Sequence, residues 1–153
     1  MNATSLLAFT EPEGGEWDEI EITVDTGACD TVMPTQMCSH ISILENAYSR
    51  VKFEYEVANG AGLRNHGERR CLLMSENSTQ AKKITLQCAN VHKPLLSVSK
   101  VADLGYECVL NDKGGELRDV VTGDRIPLHR RGNLYVMRAW IKQDSSSLFS
   151  GQP

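Results

Sequence analysis

Apolar and polar side chains alternate with a period of two through most of the chain, the signature of half-buried β-strands. Ile20, Ile22 and Val24 alternate with Glu19, Glu21 and Thr23, and Ile84, Leu86 and Cys88 form a similar segment before Pro94. Phe53, Tyr55 and Val57 alternate with Glu54 and Glu56, then meet the turn Asn59-Gly60-Ala61-Gly62. The run Arg70 to Met74, behind His66-Gly67, reads as the returning strand of a hairpin. Further on, Tyr106 to Leu110 leads into the turn Asn111 to Gly115. Val120-Val121 precede the turn Thr122-Gly123-Asp124, Arg125 to Leu128 follows, and Asn133 to Trp140 is the last ordered element.

Two stretches carry helical spacing instead. Met37, Ile41, Leu44 and Tyr48 fall at i, i+4, i+7 and i+11 behind Pro34, which predicts a helix there. The second predicted helix runs from about Leu96 through Val101 to Leu104, with Gly105 placed to end it in a left-handed conformation. A length of 153 residues sustains one apolar core. The expected organisation is a mainly β body over 15–141 with one or two short helices, between polar tails at 1–14 and 142–153.

Composition changes this picture little: 41% apolar and 24% charged residues are ordinary globular values. No apolar run approaches the length of a spanning helix, and the first residues lack the basic and long apolar stretches of a secretory signal. The expectation is a soluble intracellular protein with no membrane partner. A net charge of −4 argues against a nucleic-acid partner, which needs clustered cations. The two dense basic spots, Arg69-Arg70 and His129-Arg130-Arg131, read as solvated loops or strand ends. Cys29, Cys38, Cys71, Cys88 and Cys108 are odd in number and widely spaced, which speaks for free thiols rather than a disulfide framework. Cys38 and His40 offer two metal ligands without a second pair at suitable spacing, so neither a metal nor a cofactor is expected.

Candidate chemistry lies in Ile22-Thr-Val-Asp25-Thr26-Gly27-Ala28-Cys29-Asp30-Thr31-Val-Met-Pro34, where an alternating strand ends in a carboxylate, a hydroxyl and a glycine. Asp, Thr and Gly are ordinary turn residues, but the apolar strand entering them and the apolar return after Thr31 are less common. This string resembles the active-site motif of the retropepsins, the aspartic proteases of retroviruses and retrotransposons. The hairpin from Val57 to Gly67 sits where such a protease has its glycine-rich flap. Asn90 to Tyr106, Thr122-Gly123 and Gly132-Asn133-Leu134-Tyr135 are similar to the protease region of copia-type retrotransposon polyproteins. The resemblance covers about residues 17 to 140.

What the resemblance implies is a retropepsin-like closed β-barrel, active as a symmetric homodimer, that cuts a polyprotein in the cytoplasm or within virus-like particles. Peptide hydrolysis by this route uses two carboxylates sharing one proton. One chain has one suitable aspartate, so the second comes from another copy of the chain. Asp25, Thr26 and Gly27 are then the catalytic segment: the Thr26 hydroxyl braces the two loops across the axis, and Gly27 permits close backbone approach. Ala28, Cys29 and Asp30, with the flap residues Asn59, Gly60, Ala61 and Gly62, would hold the peptide as an added strand. The strand ending at Trp140 is expected to share in the contact between copies.

Two positions depart from the retroviral pattern. Many members carry Asp directly after the Ala, paired with an Arg from a later Gly-Arg-Asn segment; here Cys29 takes the first place and Leu95-Leu96-Ser97-Val98 the second. Losing both partners is coherent, because one buried charge left alone costs about 3–5 kcal/mol. The departure also motivates an alternative, a catalytically weak or inactive dimerisation or peptide-binding module of the same fold. A thiol- or zinc-dependent protein using Cys29, Cys38 and His40 is a third reading.

Overall fold

The computed structural model describes residues 16–57 and 59–142. The stretches read as tails, 1–14 and 142–153, lie outside these residues except for Lys142, which ends a strand. Among the described residues the chain is mainly β with two short helices. In order, the elements are β1 (Trp17–Asp25), β2 (Val32–Pro34), α1 (Ala47–Arg50), β3 (Glu54–Glu56), β4 (Gly62–Arg64), β5 (Glu68–Ser75) and β6 (Lys82–Ala89). Then come β7 (Leu95–Ser97), α2 (Val98–Asp103), β8 (Tyr106–Asn111), β9 (Gly114–Asp119), β10 (Arg125–Arg131) and β11 (Leu134–Lys142). Among the described residues no helix is long and apolar enough to cross a membrane.

Nine strands form one sheet in the order β1-β7-β2-β6-β5-β11-β10-β9-β8, and β11 also pairs with β1. The first six strands of that order therefore close on themselves, which removes their open edges. The antiparallel β10, β9 and β8 extend outward from β11. Closure depends on β11 changing partners along its length. Its residues Val136 to Lys142 bond to β1 on one side, while on the other Leu134 to Val136 face β10 and Ala139 to Ile141 face β5. Most of both edges of β11 are thus engaged within the chain, so the strand ending at Trp140 is not open to pair with another copy.

Alternation explains these strands. Ile20 and Ile22 of β1, Cys71 and Leu73 of β5, and Leu86 and Cys88 of β6 point inward to one core with Met33, Met137 and Ile141. Burying each large aliphatic side chain stabilises the barrel by about 1.5–3 kcal/mol. On the outer face Glu19 and Glu21 of β1 meet Arg138 at 2.9 Å and Arg131 at 2.7 Å. The bond from Arg131 holds the Glu21 carboxyl below its usual range.

The second expected helix forms as α2: Ser97 caps its start, Val101 buries its inner face, and Gly105 ends it at φ +93°. The first does not form. Residues 35–40 are turns, Cys38 is left-handed at φ 55°, and regular helix is confined to Ala47–Arg50, capped by Asn46. The cause is Arg69, which is buried rather than solvated. Its Nε donates to the Ile41 carbonyl at 2.8 Å, Nη2 to Thr35 at 2.8 Å and Nη1 to Pro34 at 3.4 Å. The Thr35 and Ile41 carbonyls turned toward this guanidinium are not offered to a helical ladder, while the Pro34 carbonyl accepts the Met37 amide at 3.1 Å in a turn, so the segment curls around Arg69.

The hairpin also differs from expectation. Its returning strand is β4, not the run Arg70 to Met74, because the Val57 amide bonds Ala61 at 3.1 Å and the chain reverses at once. Arg70 to Met74 belongs to β5, which pairs with β6 and β11.

Candidate active site

Asp25 is the last residue of β1, and the strand's pairings decide where its carboxylate stands. Toward its end β1 leaves β11 and lies parallel to β7, with Asp25 opposite Ser97. The chain then turns sharply: the Ala28 amide reaches back to the Asp25 carbonyl at 3.4 Å, and the Gly27 amide donates to Asp25 Oδ1 at 2.8 Å. A β-carbon on Gly27 would stand 3.3 Å from that same oxygen, a tight contact that the carboxylate would have to ease by a few tenths of an ångström.

Ser97 and Thr31 fix the turn from below. The Ser97 amide donates to Thr31 Oγ1 at 3.1 Å, and the Ser97 hydroxyl donates to the Ala28 carbonyl at 2.7 Å. That hydroxyl also accepts the Lys100 amide at 3.2 Å, as the cap of α2. One fully buried serine therefore ties the carboxylate turn, β7 and α2 into a single unit.

Above the turn lies a cavity of about 380 Å³. Asp25, Gly27, Ala28, Cys29 and Asp30 line one side; Tyr55, Glu56, Val57 and Leu63 of the β3–β4 hairpin line the other. Val32, Val91 and Leu95 complete an otherwise apolar wall. The hairpin forms a separate two-stranded sheet, and Tyr55 reaches from it to the turn, donating to Asp30 Oδ2 at 3.0 Å. Asp30 Oδ1 meets Lys100 Nζ at 3.7 Å. Burial, more than any neighbouring charge, pushes the Tyr55 hydroxyl well above its ordinary pKa.

Five of the residues expected at the site thus come together around the cavity: Asp25, Gly27, Ala28, Cys29 and Asp30. Thr26 is exposed on the turn and does not line it. Asn59, Gly60, Ala61 and Gly62 form the exposed hairpin tip, where Asn59 Oδ1 accepts the Ala61 amide at 2.9 Å and Gly60 takes φ +83°. These four are not among the lining residues, which come from the hairpin arms instead. Tyr55, Ser97 and Asn65 escaped the sequence reading as site residues. Tyr55 looked like a plain strand position, and Asn65 carried no local signal, although it is fully buried and donates to Tyr55 Oη at 3.0 Å.

Cys38 and His40 do not converge on Cys29's cavity. His40 stands 3.5 Å from Asp18, and Cys38 packs on the core, where burial pushes its thiol up to about 11. Among the described residues no three His, Cys, Asp or Glu side chains come together as metal ligands.

No family model, curated protein or solved structure matches the chain.

What the site does must come from its own geometry. A carboxylate held by one backbone amide beside an open cleft can take a proton from water. Polarising a carbonyl in the same step requires a second acid, and Asp30 is already engaged by Tyr55 and Lys100.

Proposed function

We propose that the chain is an aspartic endopeptidase of the retropepsin type, in which two copies bring their Asp25 carboxylates together on a twofold axis. The reading is carried by one observation: Asp25 lies at the foot of a cleft, gripped by the Gly27 amide, with a β-hairpin facing it across the cavity. The resemblance of the Asp25 segment to the retropepsin motif supports it. So does the closed ring of strands, which holds Asp25 on a rigid base.

In this mechanism the two carboxylates share one proton, because like charges about 3 Å apart resist joint ionisation. The ionised Asp25 takes a proton from a water held between them while its protonated mate gives its own to the scissile carbonyl oxygen. The resulting tetrahedral diol collapses when its C–N bond breaks, the amine leaving with the proton returned by the first carboxyl while the mate carboxylate takes back a proton from a diol hydroxyl, which restores the shared proton. Thr26, exposed on the turn, is free to bond across the axis. The substrate lies extended beneath the hairpin, with side chains entering the apolar wall. Contact between copies falls on the exposed Thr26-Gly27 turn rather than on β11.

Cleavage of an unstructured peptide pool at mildly acidic pH tests the reading. Wild type should cut and Asp25→Asn should not; equal activity in the two removes Asp25 from the chemistry. A peptide-binding module without turnover is the competing reading, favoured by the exposed Cys29 thiol where retroviral relatives place a carboxylate. Turnover blocked by a statine-type transition-state analogue excludes that reading, and analogue binding without turnover supports it.

A further inference from the structure

The β3–β4 hairpin has its own sheet, its ladder runs on to the bond from the Asn65 amide to the Phe53 carbonyl at 2.8 Å, and just beyond, the His66 amide joins it to the body at the Cys88 carbonyl, 2.8 Å away. Among the described residues, the hydrogen bond linking the hairpin to the Asp25–Asp30 turn comes from Tyr55. We infer that Tyr55 and Asp30 form a latch that sets how far the hairpin stands open over Asp25, making Asp30 a positioning residue rather than a substrate ligand. This inference rests on the proposed peptidase site but is tested independently of it.

The latch has a defined direction. Asn65 is fully buried; its Oδ1 accepts the Gly67 amide at 2.7 Å, and its Nδ2 donates to Gln87 Oε1 at 2.8 Å and to Tyr55 Oη at 3.0 Å. With Asn65 filling an acceptor position, the Tyr55 proton is left to point at Asp30. Both Asp30 oxygens are occupied, one by Tyr55 and the other by Lys100 of α2. The chain Gln87–Asn65–Tyr55–Asp30–Lys100 thereby connects β6, the hairpin, the carboxylate turn and α2. Because α2 is capped by the serine that also grips Ala28, hairpin position and carboxylate position are coupled through adjacent contacts. The Tyr55 ring packs edge-on against Phe53 at 5.1 Å, a contact that phenylalanine at position 55 would keep.

Hydrogen exchange of the hairpin amides decides the matter. Tyr55→Phe should speed exchange across residues 54–64 by about tenfold or more, as loss of a bond to a charged acceptor requires, while β5 and β6 keep their protection. Asp30→Ala should produce the same local change, and the double variant should add nothing further. In a peptidase assay Tyr55→Phe should raise KM more than it lowers kcat. Unchanged hairpin exchange, equal loosening of hairpin and barrel, or additive effects in the double variant would each overturn the latch. Wild type that cuts no peptide yet shows the localised exchange response sinks the peptidase reading and leaves the latch standing.

Discussion

Ser97 lies opposite Asp25 in the parallel pairing of β7 with β1, and its buried hydroxyl bonds the Ala28 carbonyl at 2.7 Å. The same oxygen caps α2, so one atom supports the Asp25 turn and the helix behind it. Ser97→Ala removes a cap and leaves a carbonyl without its donor, which should cost about 2–3 kcal/mol in urea denaturation. On the proposed peptidase reading, activity should fall further than the lost folded fraction explains, because the Asp25 turn loses its brace.

A site assembled from two copies has a mixing signature. At fixed total protein, activity in mixtures of wild type and Asp25→Asn should follow the square of the wild-type fraction, about one quarter at equal amounts, because only matched pairs hold two intact carboxyls. The measurement is a titration after subunit exchange. A linear dependence would show that each chain works alone.

Thiol labelling should single out one cysteine. Cys29 is exposed at the cavity, whereas burial pushes Cys38 up to about 11 and Cys71 up to about 12 and raises Cys88 and Cys108 as well. An aromatic disulfide reagent at neutral pH should react promptly with one thiol per chain, absent in Cys29→Ser, and should block peptide access. The raised thiols carry a stability consequence. Their folded pKa values lie above the ordinary 9.0, so stability is complete below that value and is lost as pH climbs through 9 toward 11 and 12. Urea midpoints should therefore stay level below pH 9.0 and fall from there toward pH 11.

Arg69 should be among the costliest residues to replace. Its three carbonyl acceptors shape residues 34–41, so Arg69→Ala should destabilise by about 3 kcal/mol or more, by lost hydrogen bonds and an unfilled space. Arg69→Lys should recover little, because a point charge cannot reach three acceptors fanned around a planar fork. Thermal or urea unfolding checks both.

The strands were readable because each outward Glu between inward Ile or Leu repeats a local rule, as in Glu19 to Val24. So was α2, whose start at Ser97 and stop at Gly105 are both written in neighbouring residues. The expected helix through Met37 and Ile41 failed because its competitor, Arg69, stands far along the chain and no window around position 40 contains it. β2 is three residues long, too short for any period to show. The Asp25 turn was legible as a string, but its supports were not. Ser97, Tyr55 and Asn65 act through partners brought near only by β7, the hairpin and β6.

The mutual dependence of β1 and β11 bears on biosynthesis. Trp17 partners Lys142 and Thr23 partners Val136, so among the described residues the first strand along the chain finds its main neighbour in the last one. Before β11 is made, β1 has among the described residues only its brief alignment with β7, from Thr23 to Asp25. A nascent chain stalled before Val136 would hold the acid on an unsupported ribbon, and such long-range pairing also slows folding. Whatever reactivity resides at Asp25 is thereby timed to the completion of the barrel.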